Sequence, residues 1–203
     1  MANRLHIGDL PSDYVSGTTL AIDTETLGLN PHRDRLCLVQ MSRGDGDADL
    51  VQIRPGVAHC PNLERVLADP NVLKLFHFAR FDMAALYNRL GVMPAPVWCT
   101  KIASKLIRTY TDRHGLRDLV RELLGSEISK QQQSSDWGAP TLTEAQLAYA
   151  ASDVLHLHAL KDKLEALLVR EQRLDLAKAC FDFLPVRAKL DLAGWNGDIF
   201  AHE

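Results

Sequence analysis

The first half of the chain contains three short apolar segments, which turn-forming residues separate. They are residues 18–24 (TTLAIDT), 35–41 (RLCLVQM) and 48–53 (ADLVQI). The intervening GLNPHRD and RGDGD are rich in glycine, proline, asparagine and aspartate, which are typical of turns. Strands joined by such short connections usually pair in the antiparallel direction. The pattern therefore predicts a three-stranded antiparallel meander.

After residue 61 the apolar residues follow a helical period instead. Residues 72–76 then read as a buried strand, residues 82–90 as a helix, and residues 97–99 as another strand. Strands that alternate with helices usually pair in parallel, with the helices as crossover connections. The predicted fold class is therefore α/β, with three antiparallel strands followed by parallel strands and crossover helices.

The second half of the chain is predicted to be mostly helical. Thr143 and Gln146 have the spacing of a capping box at the start of the longest helix. Two polar, turn-rich segments, residues 108–115 and 125–140, interrupt the helices, which are predicted at residues 100–108, 116–124 and 143–170.

Residues 171–203 are predicted to form a helical tail that packs on the core. In this segment RLDLAKACFDFL is helical, Pro185 ends that helix, and a final helix follows. With 203 residues and no linker in the pattern, we expect a single domain over residues 1–203.

Composition indicates an ordinary soluble protein, with 46% hydrophobic and 24% charged residues. No stretch approaches the roughly 18 apolar residues of a membrane span, and the N-terminus lacks the layout of a signal peptide. We therefore expect a cytoplasmic protein without a membrane partner. The four cysteines, which have neither zinc spacing nor a paired pattern, are expected to be buried free thiols: Cys37, Cys60, Cys99 and Cys180.

The net charge of −3 gives no general reason to bind nucleic acid. It does not exclude a nuclease, because carboxylates gathered at a metal centre lower the formal charge of the chain. Bound metal ions then supply positive charge where a phosphate must sit.

Candidate chemistry begins with Asp23 and Glu25 at the end of the first predicted strand. Residues two apart on a strand project from the same face, so the two carboxylates lie close together. Like charges at that range disfavour ionisation, and a divalent cation between them would relieve the repulsion. The alternative is a pair of solvated acids, which are common at strand ends.

Three more residues are candidates at positions where a structural role is also plausible. Asp82 follows a predicted strand and starts a helix, where an acid can also act as a cap. Tyr149 and Asp153, four residues apart, project from one face of a helix. The alternatives are a core tyrosine and a surface acid.

Three ordered motifs resemble those of the DEDD exonucleases in their tyrosine-bearing branch, and within it the ribonuclease D group. The motifs are IDTETLGL at residues 22–29, HFARFD at residues 77–82 and YAASD at residues 149–153. The resemblance extends over residues 18–170, because WCTKIASKLI, HGLRDLVRELLG and KQQQSSDW also resemble ribonuclease D segments.

The resemblance implies a ribonuclease H-like fold and 3′-to-5′ removal of nucleoside 5′-monophosphates from single-stranded RNA, as in structured RNA or transfer-RNA trimming. Two divalent cations, Mg²⁺ or Mn²⁺, are implied, with Tyr149 positioning the attacking water. No nucleotide cofactor is expected. The implied metal ligands are Asp23, Glu25, Asp82 and Asp153.

Substrate contacts are predicted near the motifs and in a basic segment. Thr24, Leu27, His77 and Phe81 are candidates for the terminal sugar and base, with core packing as the alternative. Phosphate contacts are predicted for Arg113, His114 and Lys130, near Arg108 and Arg117, with a solvated surface as the alternative. The glutamine-rich segment, residues 131–136, is expected to cover the terminal nucleotide, and Trp137 is expected to pack it on the core.

The sequence differs from larger ribonuclease D proteins after Arg170, where too few residues follow for their helical nucleic-acid-binding domains. DNA is therefore an alternative substrate for the same active site. A catalytically silent nucleic-acid-binding module is the other alternative, although it predicts damage to at least one of the five catalytic residues. The oligomeric state is left open.

Overall fold

The computed structural model describes residues 2–129 and 131–202. Its centre is a six-stranded mixed sheet in the order β1-β4-β3-β2-β5-β6. The strands are β1 (Asn3–Ile7), β2 (Thr19–Thr26), β3 (Leu36–Ser42), β4 (Ala48–Gln52), β5 (Leu73–Phe76) and β6 (Val97–Cys99).

Helices pack around this sheet and make up most of the second half of the chain. They are α1 (Pro61–Ala68), α2 (Ala79–Leu90), α3 (Thr100–Ile107), α4 (Leu116–Leu119), α5 (Glu144–Leu155), α6 (Leu157–Arg170) and α7 (Leu174–Leu192). A π-helical turn, Val120–Leu124, continues α4.

The predicted meander and the parallel strands are confirmed. Strand β3 pairs antiparallel with both β2 and β4, while β5 is parallel to β2 and β6 is parallel to β5. The arrangement is the ribonuclease H-like α/β fold that the sequence predicts. Strand β1, which the sequence analysis missed, pairs parallel with β4. It alternates exposed and half-buried residues without a fully buried position, so the apolar pattern contains little signal for it.

Three helix predictions require correction. Helix α2 begins at Ala79 rather than at residue 82, and the predicted helix at 143–170 is divided into α5 and α6 at His156. The predicted break at Pro185 is wrong, because α7 runs through it. Phe181, Leu184 and Ala188 on either side of the proline are buried in the core, so their packing offsets the backbone hydrogen bond that proline removes.

The core extends over both halves of the chain. Most buried side chains form one large cluster that joins the sheet to α1, α2, α3, α6 and α7. A smaller cluster beneath α5 contains Trp137, which is 3% exposed and packs the glutamine-rich segment on β3 and β4. The expected packing role of Trp137 is thus confirmed.

The prediction of buried free thiols is confirmed for three cysteines, while Cys180 is less buried than expected. Cys37, Cys60 and Cys99 are buried, Cys180 is half-buried, and all four are free thiols. In the part of the chain that the structure describes, no helix has the length and apolar character needed to cross a membrane.

Candidate active site

Strand β2 positions the first two acids. Alternation along β2 places Asp23 and Glu25 on one face, and Thr24 between them faces the other way. The pairing of β2 with β3 shifts register between Glu25 and Thr26, at the point where the strand leaves the sheet. Such irregularities commonly lie next to active sites because they redirect side chains.

Helix α5 brings Asp153 to the same face of the sheet. It starts with the predicted capping box, in which Thr143 and Gln146 each satisfy a backbone amide of the other. Helix α5 packs on β2, β3 and β4. One carboxylate oxygen from each of Asp23, Glu25 and Asp153 can be chosen so that all three lie within 4.8 Å of one another. The strand and the helix, far apart in sequence, thus form one acidic cluster.

The fourth acid, Asp82, approaches from helix α2. It is buried, with 3% of its surface exposed, and accepts a hydrogen bond of 2.6 Å from Thr24 Oγ1. Helix α2 contacts β2, and the charge of Asp82 raises the pKa values of both Asp23 and Glu25. The structure therefore brings together all four acids that the sequence analysis selected.

The electrostatics of the cluster favour the binding of a cation. Burial, followed by the charges of Asp153 and Asp82, raises the pKa of Glu25 to about 9. Burial also raises the pKa values of Asp23, Asp82 and Asp153 above the ordinary range of aspartate. Four carboxylates with this environment repel one another unless a cation lies between them.

The donor set fits hard divalent cations. All four groups are carboxylates, and oxygen ligands of this kind suit Mg²⁺ or Mn²⁺ rather than zinc or copper. Gln40 adds support from β3, where it is directly opposite Asp23 and donates from Nε2 to Asp23 Oδ2 at 3.2 Å. Such supporting hydrogen bonds hold a ligand in the orientation that a metal needs.

Tyr149 lies one helical turn before Asp153 and lines the same cavity. Its ring packs at 6.0 Å from the ring of Trp137, measured between centroids. Burial and the nearby charges of Asp153, Glu25 and Asp23 raise the pKa of the Tyr149 hydroxyl. The hydroxyl therefore stays protonated at neutral pH and can donate a hydrogen bond.

Asp23, Glu25 and Asp153 open into a cavity of about 310 Å³. His77 lines this cavity, and its Nδ1 lies 2.8 Å from Thr100 Oγ1. Burial, with a smaller effect of the Lys101 charge, lowers the pKa of His77 to about 3, so the imidazole is neutral at physiological pH. Because Thr100 Oγ1 itself donates to the Phe76 carbonyl, it accepts from His77 Nδ1, which leaves Nε2 as an acceptor.

The other predicted contacts of sugar and base lie in different places. Thr24 is buried and its hydroxyl is engaged by Asp82, so its side chain positions that acid. Phe81 lines a neighbouring cavity of about 450 Å³ rather than the acidic one. Leu27 is 52% exposed and lies beside Gly138, where an added Cβ would be only 2.7 Å from the Leu27 Cδ2.

The basic residues predicted to contact phosphates include some that are buried in the fold and others that are accessible to a substrate. The sequence predicts that Arg108 faces solvent or a phosphate. In the structure it is instead buried and donates to the Arg113 carbonyl and to Glu122. His114 is half-buried and its Nδ1 lies 2.8 Å from Ser104 Oγ. Arg113 is exposed, and Arg117 is exposed and lines the cavity. Lys130 lies outside the described residues.

Phe78 and Lys101 are among the cavity residues that the sequence analysis did not select. Phe78 precedes α2 in a left-handed conformation with φ 67°, and Lys101 lies in the first turn of α3 with its Nζ 4.2 Å from the centre of the Phe78 ring. Both line the acidic cavity. Their positions inside HFARFD and WCTKIASKLI were the available signal, but neither residue type indicates metal chemistry.

Comparison with known proteins agrees with the acidic site described above. A model of the 3′-5′ exonuclease family matches residues 8–169. The ribonuclease D of Gluconacetobacter diazotrophicus is 38% identical over 156 residues, which are 77% of this chain and 39% of that protein. This chain thus spans well under half the length of the curated relatives that it matches.

Solved structures give a similar result. Brucella melitensis NrnC with bound Mg²⁺ is 58% identical with a TM-score of 0.96, and each chain is covered completely. The same protein bound to pGG is 59% identical with a TM-score of 0.95 and 98% coverage of both chains. Escherichia coli RNase D is 26% identical with a TM-score of 0.74, over 85% of this chain and 45% of that one. This chain belongs to the 3′-5′ exonuclease family that includes ribonuclease D.

Proposed function

We propose that this chain is a metal-dependent exonuclease that hydrolyses the 3′-terminal phosphodiester bond of RNA and releases nucleoside 5′-monophosphates. The observation that carries the proposal is the convergence of Asp23, Glu25 and Asp153 within 4.8 Å, with buried Asp82 close enough to raise the pKa values of Asp23 and Glu25. Family membership supports the direction of cleavage, since the matched model describes a 3′-5′ exonuclease.

Asp23, Glu25, Asp82 and Asp153 are proposed to hold two divalent cations, Mg²⁺ or Mn²⁺. When bound, two such ions lower the pKa of an attacking water and stabilise both the attacking and the leaving oxygen of an in-line displacement. The relative from Brucella melitensis, which was solved with Mg²⁺, supports this choice of metal. Gln40 and Thr24 hold Asp23 and Asp82 in place through their hydrogen bonds.

Tyr149 is proposed to orient the attacking water. Its hydroxyl is protonated at neutral pH because burial and the adjacent acids raise its pKa. It therefore acts as a hydrogen-bond donor and not as a general base. A fixed donor restricts the water to an orientation that points a lone pair at phosphorus, and such positioning accounts for a large part of catalysis in many enzymes.

His77 is proposed to accept a hydrogen bond from a ribose hydroxyl. The neutral ring has Nδ1 engaged by Thr100, so Nε2 is free to act as an acceptor toward the cavity that it lines. A ribose offers one hydroxyl more than a deoxyribose at each internal position. This chemistry favours RNA, and a relative solved with pGG indicates that the substrate can be as short as a dinucleotide.

The test is a time course on 5′-labelled RNA, on DNA of the same sequence and on pGG, in Mg²⁺, in Mn²⁺ and in chelator. Asp23→Asn is the site variant, and Asp182→Asn, on the exposed side of α7, is the matched control. We expect stepwise shortening of RNA from the 3′ end by wild type and control only, with none in chelator.

Other outcomes distinguish the alternatives. Equal or faster shortening of DNA would favour a DNA exonuclease with the same active site. Full activity in chelator, or equal activity of Asp23→Asn, would contradict the metal mechanism. Binding of RNA without hydrolysis under all conditions would favour a silent binding module, against which the presence of all four acids and Tyr149 already argues.

A further inference from the structure

Phe78 lies beside the acids in a backbone conformation that does not suit it. Its φ of 67° and ψ of 45° lie in the left-handed region, where glycine and asparagine are common and bulky residues are outliers. Backbone strain of this kind persists when the surrounding structure maintains it, and it concentrates at functional sites. Glycine would fit this position without strain, so the aromatic ring needs a reason to be there.

Packing does not provide that reason. Phe78 is 44% exposed and is not among the buried residues that form the core. Its ring instead borders three cavities: the acidic cavity, the cavity that also contains Phe81, and an apolar cavity against α7. An exposed ring at the edge of an acidic, phosphate-cleaving centre is the type of surface on which single-stranded nucleobases stack.

Lys101 adds a positive charge at the same place. Its Nζ lies 4.2 Å from the centre of the Phe78 ring and its side chain lines the acidic cavity. Among the residues that the structure describes, Lys101 forms no ion pair. The cavity therefore presents an aromatic face and an available ammonium group side by side, next to four carboxylates that a nucleotide phosphate could approach only with cations present.

We propose that Phe78 and Lys101 form a nucleotide subsite, in which the ring stacks on a nucleobase and the ammonium contacts the phosphate of the same substrate. The proposal rests on the proposed exonuclease function and names the residues through which that site recognises its nucleotide. Stacking tolerates any base, so the subsite would give affinity and position without sequence preference.

The first experiment is a double-mutant cycle in which changes of Phe78 are combined with removal of a base from the substrate. Hydrolysis of pGG is compared with that of analogues in which either guanine is replaced by an abasic ribose, for wild type, Phe78→Gly and Phe78→Tyr. For pGG we expect Phe78→Gly to lower kcat/KM roughly 5-fold to 150-fold, which corresponds to about 1–3 kcal/mol per stacked base. Phe78→Tyr, which retains a ring, should recover most of that loss.

The abasic analogues distinguish stacking from a structural role. For one of the two analogues, the kcat/KM of wild type should fall by a similar factor relative to pGG. For the same analogue, Phe78→Gly should have nearly the kcat/KM of wild type, since the stacking contact is already absent. Phe78→Gly should keep or raise the melting temperature, because glycine adopts φ 67° without strain. An equal loss on pGG and on both analogues, or no loss at all, would overturn the stacking role.

The second experiment tests the phosphate contact. Lys101→Met should raise KM for pGG and lower the slope of log KM against log salt by about 1, as expected when one phosphate contact is removed. Lys101→Arg should retain the salt slope. Lys163→Met, at an exposed position of α6, is the control and should behave as wild type. An unchanged salt slope in Lys101→Met would exclude the contact.

Binding separates this proposal from the proposed function. If wild type hydrolyses none of the substrates, the exonuclease proposal fails, and the affinity of pGG in Ca²⁺ is then measured for wild type, Phe78→Gly and Lys101→Met. Weaker binding of both variants, by factors in the same range, would support the subsite even without catalysis. Equal binding of all three proteins would overturn it.

Discussion

Replacing Glu25 by glutamine should stabilise the metal-free protein while it removes activity. The folded protein holds Glu25 among three other acids, and its pKa is raised to about 9 from an ordinary 4.5, first by burial and then by Asp153 and Asp82. In the unfolded chain the carboxyl is ionised above about pH 4.5. Folding at pH 7 must therefore take up a proton at Glu25 or bury its charge among the other acids.

The size of the effect follows from linkage. One pKa unit corresponds to about 1.4 kcal/mol, so the interval between pH 4.5 and pH 7 gives an upper limit of about 3 kcal/mol. Glutamine has nearly the same shape and no charge. We expect Glu25→Gln to gain roughly 1–3 kcal/mol at pH 7, or about 2–12 °C in melting temperature for a chain of this size.

The sign of the pH dependence is fixed by the raised pKa. The folded state binds the proton more tightly than the unfolded state, so wild type loses stability as pH rises from 4.5 towards 9. Glu25→Gln lacks this contribution, and its advantage should be absent near pH 4.5 and largest near pH 9.

The assay is thermal unfolding by circular dichroism in chelator between pH 4.5 and pH 9, with Asp182→Asn as control. The control removes an exposed charge and should shift stability by no more than about 0.5 kcal/mol. Adding Mg²⁺ should stabilise wild type more than Glu25→Gln, because a ligand that binds only the folded state adds its binding free energy. A variant less stable than wild type in chelator at pH 8 would refute the reasoning.

Three further predictions concern the residues around the acids and the last helix. Tyr149→Phe should lower kcat by roughly 10-fold to 1,000-fold with little change in KM, since the hydroxyl is proposed to act on the water and not on substrate binding. An equal rise in KM would contradict this role. Gln40→Met should weaken Mg²⁺-induced stabilisation, with roughly 10-fold to 100-fold lower metal affinity in a titration, because Asp23 loses the hydrogen bond from Nε2. An unchanged titration would show that Gln40 does not support the ligand. Pro185→Ala should raise the melting temperature by a few degrees, since alanine restores a hydrogen bond inside α7; a lower melting temperature would show that the core is fitted to the proline.

Sequence alone was sufficient to predict the features that depend on residues close together in the chain. The meander and the parallel strands follow from apolar alternation and turn residues, and the structure confirms them. The capping box at Thr143 is equally local and is present as predicted. The acids were identifiable because carboxylates at fixed positions in three ordered motifs have few structural explanations in combination.

Sequence patterns failed where long-range packing outweighs local preference. Pro185 locally favours a helix end, but the buried residues on both sides of it keep α7 continuous. Strand β1 has no buried face of its own, and only the edge of β4 gives it a partner. Arg108 reads as a surface cation, yet the fold buries it against a backbone carbonyl and Glu122.

By itself, the sequence determined the fold class and the set of acids, because both depend on residue types at short and regular spacings. Only the tertiary structure decided how Asp23, Glu25 and Asp153 share one cavity, that Thr24 supports Asp82 and that Gln40 supports Asp23. It also revealed Phe78 and Lys101, whose role depends on a backbone angle and on a contact between separate elements. Such properties arise from packing between distant segments, and no local pattern of residues specifies them.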